Sequence, residues 1–144
     1  MPKSAEDSYF AAINRIPLLT PTEEILCGRR VQAMMQLLEN HPKGPYSAHD
    51  QRTLRHGKNA KERMISANLR LVAHVAKRNV HQAQTMTFMD LVQEGTIGLI
   101  RGVEKFDPER GYKFSTYAYW WIRQGISRSI QKQDRVIRLP VKHL

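Results

Sequence analysis

The sequence holds a single cysteine, Cys27, among 144 residues. An internal disulfide and a cysteine-based zinc site are both excluded by that count. No apolar run approaches the roughly 18 residues a membrane span needs. The opening MPKSAEDSYF lacks the apolar core of a signal peptide, and a reducing, cytosolic setting with no membrane partner is expected. Catalytic words are missing too: there is no GxxxxGK phosphate loop, no HExxH pair and no nucleophile elbow. The six histidines (His41, His49, His56, His74, His81 and His143) show no ligand spacing. Cys27 falls inside a predicted helix, where packing is its expected role. A binding protein is expected rather than an enzyme, with no metal and no cofactor.

Acids are scarce: 13 Asp and Glu face 23 Lys and Arg, a formal charge of +10. The excess is uneven. Residues 110–144 carry eight bases and one acid, Asp134, while residues 86–109 carry five acids and two bases. A basic segment beside an acidic one points to two partners of opposite character, one of them nucleic acid. A solvated surface of uneven charge is the plainer alternative.

What is abundant is helical patterning. Thr20-Pro21-Thr22-Glu23 is a capping box with proline at the first helical position, and it predicts a helix over about 21–39. Residues 7–16 allow a short helix that breaks at Ile16-Pro17. Residues 41–58 hold two Pro, two Gly and three His and read as a loop or connector. Ile65, Leu69, Val72 and Ala76 then fall on one face of a helix. Thr87 with Asp90 caps a third long helix, whose apolar face uses Leu91, Val92, Leu99, Ile100 and Val103. Its Gly95 and Gly98 are expected to permit close packing. Asp107-Pro108-Glu109-Arg110-Gly111 reads as a turn, and a last helix is expected over about 114–131. Pro140 predicts a bend over 135–139.

At 100° per residue, Phe114, Ala118, Trp121, Ile122, Gly125, Ile126 and Ser129 share the core side of the last helix. Tyr117, Trp120, Gln124, Ser127 and Gln131 form a second stripe, flanked by Arg123 and Arg128. Tyr112, Phe114 and Tyr119 add rings near the same end. Flat rings stack on exposed bases, arginines hold phosphates, and amides meet base edges, so the stripe favours single-stranded nucleic acid. The competing reading is that Tyr117 and Trp120 pack against another helix. One tryptophan of the pair is expected half-buried and the other exposed.

Longer words carry a family resemblance. AKERMISANLRLVAHVAKRN, FMDLVQEGTIGLIRGVEKFDPERGYKFSTYAYWWIRQGISRSI and RVIRLPV resemble region 2 of bacterial sigma-70-type transcription initiation factors, and DSYFAAINRIPLLTPTEEI resembles their region 1.2. The resemblance implies an all-α, compact helical bundle of the sigma region 2 type with an N-terminal region 1.2 helix pair. It divides the chain into region 1.2-like helices (1–40), a connector loop (41–59), a region 2 core (60–140) and the start of a next region (141–144). It implies two partners: core RNA polymerase, through the clamp helices of its largest subunit, and promoter DNA, above all the single-stranded −10 element. An anti-sigma factor is a further partner it admits.

By the same resemblance, Asp90, Gln93 and Glu94 dock on polymerase, with Thr96 and Ile100 on the same helix. Tyr117 stacks on the flipped adenine of the non-template strand, with Tyr112 close by, and Trp120 and Trp121 stand at the upstream edge of the bubble. Phe106, Arg110, Arg123 and Gln124 neighbour the adenine site or the adjoining duplex. Glu24, Asn68 and Leu71 form a second pocket, for the last thymine of the element. Gln124 and Ser127 read the element's upstream edge, while Lys113, Arg128, Arg135 and Arg138 meet phosphates. Departures also appear. AAIN (Ala11–Asn14) replaces a more charged stretch ending in Gly, Thr96 replaces a frequent Asn, and Tyr119 and Lys132-Gln133-Asp134 are unusual. The few residues before region 1.2 favour an alternative, primary-like factor. The stop at Leu144 reads as a truncation before the −35 reader. A stand-alone helical single-strand-binding module that never meets polymerase is the alternative function; a regulator that sequesters polymerase without touching DNA is a third.

Overall fold

A computed structural model describes residues 4–142, with side-chain surroundings through Gln133. Among the described residues every regular element is helical: α1 (Ala5–Asn14), α2 (Pro21–Asn40), α3 (Ala48–Ala67), α4 (Leu69–Asn79), α5 (Phe88–Lys105) and α6 (Phe114–Lys142), with short 3₁₀ turns at Val80–Gln82 and Pro108–Arg110. Helix starts follow the caps written in the sequence. Thr20 accepts from the Glu23 N–H while the Glu23 carboxylate accepts from the Thr20 N–H. Thr87 and Asp90 do the same for α5. Each such reciprocal pair satisfies two backbone donors that the first turn leaves without partners.

Three expectations are corrected. The segment expected as a connector over 41–59 is helical from Ala48, started by a capping box of Ser47 and Asp50. Gly57, counted as a breaker, is instead buried against Met34 of α2. The face drawn through Ile65, Leu69, Val72 and Ala76 belongs to two helices. The chain turns at Asn68 (φ −112°), whose amide donates to the Met64 carbonyl at 2.7 Å. Only Val72 and Ala76 are buried; Ile65 and Leu69 pack at the edge. The bend expected over 135–139 is absent, because α6 continues to Lys142. Proline's fixed φ is itself helical, and the helix runs two residues past Pro140. The expected boundary after residue 140 therefore falls inside α6.

The core forms where α4, α5 and α6 meet, around Met64, Val72, Leu91, Leu99, Phe114, Ile122 and Ile126, all fully buried. Ile100, expected on the apolar face of α5, is only half-buried. The α5–α6 crossing is close enough to bring backbone onto backbone. A methyl at Gly98 would collide with the Trp121 carbonyl, and one at Gly125 would sit 2.8 Å from the Glu94 carbonyl. Backbone cannot swing aside as a side chain can. In an open helix, Gly→Ala gains about 1 kcal/mol. Here Gly98→Ala should instead lower stability by about 1–3 kcal/mol, the usual cost of overpacking. Urea unfolding checks the sign; a stabilised variant would mean the helices are free to part.

Candidate nucleic-acid interface

The first turn of α6 begins a cluster of rings. Phe114 is fully buried and holds Phe106 edge-on at 5.0 Å. Phe106 in turn touches Tyr112 (6.3 Å) and Tyr117 (6.0 Å). Tyr117 is half-buried and its hydroxyl donates to the Lys105 carbonyl at 3.2 Å, which fixes the ring against the end of α5. Tyr112 stacks offset against Tyr117, with centroids 5.6 Å apart and planes inclined by 29°. Phe106, at 4% exposure, cannot present itself to DNA. Its expected place beside the adenine site is corrected to that of a floor beneath the exposed rings, because the α5–α6 turn folds it inward.

One turn on, Trp120 is 53% exposed. Trp121 stands edge-on to it at 5.2 Å and packs on the backbone at Gly102. The Trp121 indole N–H is buried and lacks a partner among the described residues, so only part of its ring is open to a ligand. One exposed and one half-buried tryptophan is the division the helical wheel predicts. Trp120, Gln124 and Arg128 line a groove of about 550 Å³ whose other wall is Glu94, Ile97, Gly98 and Arg101 of α5. Arg123, Gln124 and Arg128 are exposed and Ser127 is half-buried. Lys113 and Arg110 are exposed as well, the latter 3.5 Å from Asp107. The side chains of Arg135 and Arg138 lie outside the described residues.

The residues assigned to a second pocket are only partly brought together. Glu24, on the first turn of α2, lies beside the Phe114 N–H and the Lys113 ammonium at the start of α6. Burial nonetheless raises its carboxyl above the ordinary value. Asn68 and the half-buried Leu71 lie at the α3–α4 turn, and the Asn68 amide is already engaged by Met64. A salt bridge also ties α2 to the turn before α6: Arg29 donates to Glu109 at 2.6 Å and holds that carboxyl below its usual range.

On α5, Asp90 and Gln93 are exposed and Glu94 is half-buried. One Asp90 oxygen accepts from the Thr87 N–H. Thr96 turns its hydroxyl inward to the Val92 carbonyl at 2.7 Å. Two residues escaped the sequence reading. Ile97, 47% exposed, sits amid the polar ridge of Asp90, Gln93 and Glu94; its signal was an isoleucine off the apolar stripe of α5. Lys105 holds Tyr117 through its backbone carbonyl, which no side-chain pattern can announce.

The arrangement is therefore a ring cluster and a basic, amide-bearing helix face joined by a groove to an acidic ridge. Comparison with known proteins gives it a family. The description of sigma-70 region 2 matches residues 64–136, and that of sigma-70 factor region 1.2 matches residues 7–37. The chain belongs to the sigma-70 family. It is 54% identical over 133 residues to the RNA polymerase sigma factor SigA4 of Synechococcus elongatus, covering 92% of this chain and 42% of that protein. It is 47% identical over 152 residues to SigA2 of the same organism, covering 93% of this chain and 47% of that protein. To the RNA polymerase sigma-C factor of a Nostoc species it is 64% identical over 85 residues, 59% of this chain and 20% of that protein. The chain thus spans less than half the length of these relatives. Among the described residues no helix is long and apolar enough to cross a membrane.

Glu24 supplies a pH test of the α2–α6 contact. Its folded-state pKa is raised, so its favourable contribution is complete below the unfolded value and is lost as pH rises through the folded value. Glu24→Gln, which cannot titrate, should be more stable than the parent at neutral pH. That advantage should shrink as pH falls towards the ordinary 4.5. Denaturant midpoints of the two proteins between pH 4 and 7 check this. A difference that does not change with pH would place the carboxylate in open solvent.

Proposed function

We propose that this chain is the promoter-recognition part of a transcription initiation factor, which binds core RNA polymerase and captures flipped bases of the −10 element to hold DNA open. The observation that carries the reading is the exposed Trp120 beside the Tyr112–Tyr117 stack, on a helix whose outer face is Arg123, Gln124 and Arg128. Tyr117 supplies the stacking surface for the displaced adenine. Since Tyr112 stacks against part of that ring, it swings aside or joins the base. Trp120 and Trp121 cap the last intact pair upstream, Gln124 and Ser127 meet base edges, Arg110 and Arg123 neighbour the adenine site or the adjoining duplex, and Lys113 and Arg128 hold phosphates. Glu24, Asn68 and Leu71 take a second base. The work is binding, with no covalent step, and it belongs in the cytoplasm with the polymerase.

The polymerase side is α5. Asp90, Gln93 and Glu94 form an acidic ridge for a basic helical partner, the clamp helices of the largest subunit. Ile97 offers the apolar anchor that such ridges use to exclude water. Asp90→Lys and Glu94→Lys should each abolish co-purification with core polymerase while leaving single-strand binding unchanged. Retained co-purification would move the docking surface elsewhere.

Magnitudes fix the division of labour. Duplex stacking costs about 1.4 kcal/mol per step, so a bubble of about a dozen steps costs on the order of 15 kcal/mol. Two captured bases return about 2–6 kcal/mol. Phosphate contacts serve duplex and single strand alike and discriminate little. The chain traps bases that have already left the stack, and polymerase holds the remainder. A duplex promoter carrying a fluorescent base should stay closed with the purified chain alone; opening without polymerase would contradict this. Tyr117→Ala should weaken binding to a single strand bearing the element by about 1–3 kcal/mol. The loss should nearly vanish on a strand lacking the key adenine. Equal loss on both strands would make the ring a structural element only.

A further inference from the structure

The first three turns of α3 lie outside both matched segments, 7–37 and 64–136, and the site described above leaves them unused. Their outer face is Gln51, Arg52, Arg55, His56, Lys58 and Asn59, all exposed. Nearby cations have structural work: Lys61 pairs with Glu104 at 2.8 Å, Arg63 donates to the Pro17 carbonyl at 3.0 Å, and Arg29 bonds Glu109. Arg52, Arg55 and Lys58 form no ion pair among the described residues. Asp50 is engaged in the helix cap.

The kind of partner follows from what the face lacks. A protein interface needs buried apolar anchors at its centre. The large exposed apolar side chains are Leu18, Ile25, Leu26, Leu38, Ile97, Tyr112 and Trp120, none of them on α3. Arginine, lysine and amides without an apolar anchor are the composition of phosphate and sugar contacts. Arg52 to Lys58 covers about 9 Å of helix axis, enough for two or three phosphates of one strand at about 3.4 Å rise. The same helix ends at Asn68, one of the residues of the second base pocket. Arg52 is sixteen residues from it, about 24 Å, or about seven duplex steps.

We propose that Arg52, Arg55 and Lys58 form a second contact surface for the phosphate backbone of duplex DNA lying beyond the element. The proposal rests on the base-capture reading for its anchor point, and its test separates the two. The probes are a seven-nucleotide single strand carrying the element and two forks joining that strand to about 20 base pairs of duplex, one at each end. The proteins are the full chain, a triple variant (Arg52→Gln, Arg55→Gln, Lys58→Gln) and a charge-preserving double variant (Arg52→Lys, Arg55→Lys).

The parent should bind one fork more tightly than the triple variant does, while both bind the short strand equally. With three contacts at about 0.9 each, the log–log salt slope on that fork should fall by about 2.7 in the triple variant. The parent's advantage should therefore shrink about 40-fold between 50 and 200 mM salt. The charge-preserving variant should keep the parental slope. Equal binding of parent and triple variant on all probes would overturn the proposal. So would equal loss on the short strand. If Tyr117→Ala leaves the short strand unaffected while the triple variant still loses the fork, base capture fails and the α3 surface stands.

Discussion

The structure turns on the backbone contact between α5 and α6. Glycines at 98 and 125 let each helix lay carbonyls on the other, and that closeness removes rotational freedom from α6. Once Ile122 and Ile126 are locked inward, the stripe through Tyr117, Trp120 and Gln124 has no choice but to face outward or sideways. The same contact sets the distance between the acidic ridge on α5 and the basic face on α6. An acidic ridge and a basic face are therefore held in one frame, and a groove runs between them.

Within that frame the rings are graded in burial. Phe114 is core, Phe106 is floor, Tyr117 is pinned by its hydroxyl, and Tyr112 and Trp120 are open to solvent. Such a gradation leaves part of a flat ring surface open while the rest is supported from below. Tyr112 stacks offset against Tyr117, so under the proposed base capture an incoming base would exchange one stacked ring for another. A like division appears in the charges. Arg29 and Lys61 are paired within the fold, whereas Arg123, Arg128 and Lys132 of α6 and the outer face of α3 are exposed to solvent.

Much of this was legible in the residues. Capping at Thr20 and Thr87 needs only the local chain, so both helix starts were readable, as was the inward face of α6. The division between Trp120 and Trp121 followed from 100° per residue. The α3 start was missed although Ser47 and Asp50 form the same reciprocal cap, because prolines, glycines and histidines nearby signal a loop when counted by composition. Gly57 shows why counting failed: it serves contact with Met34, a tertiary fact. The turn at Asn68 was hidden because hydrophobic period continues through it. At the site, Tyr117 and Trp120 could be named from pattern and resemblance. The lid-like position of Tyr112, the carbonyl of Lys105 and the exposure of Ile97 depend on how separate helices meet.

Proton NMR of the chain titrated with the single-stranded element decides whether a base exchanges onto Tyr117. The account predicts cross-relaxation between the Tyr112 and Tyr117 rings in the free protein. It predicts new contacts from an adenine to Tyr117 at saturation, with the Tyr112 contacts weakened. Unchanged Tyr112–Tyr117 contacts at saturation, with the adenine touching neither ring, would contradict it.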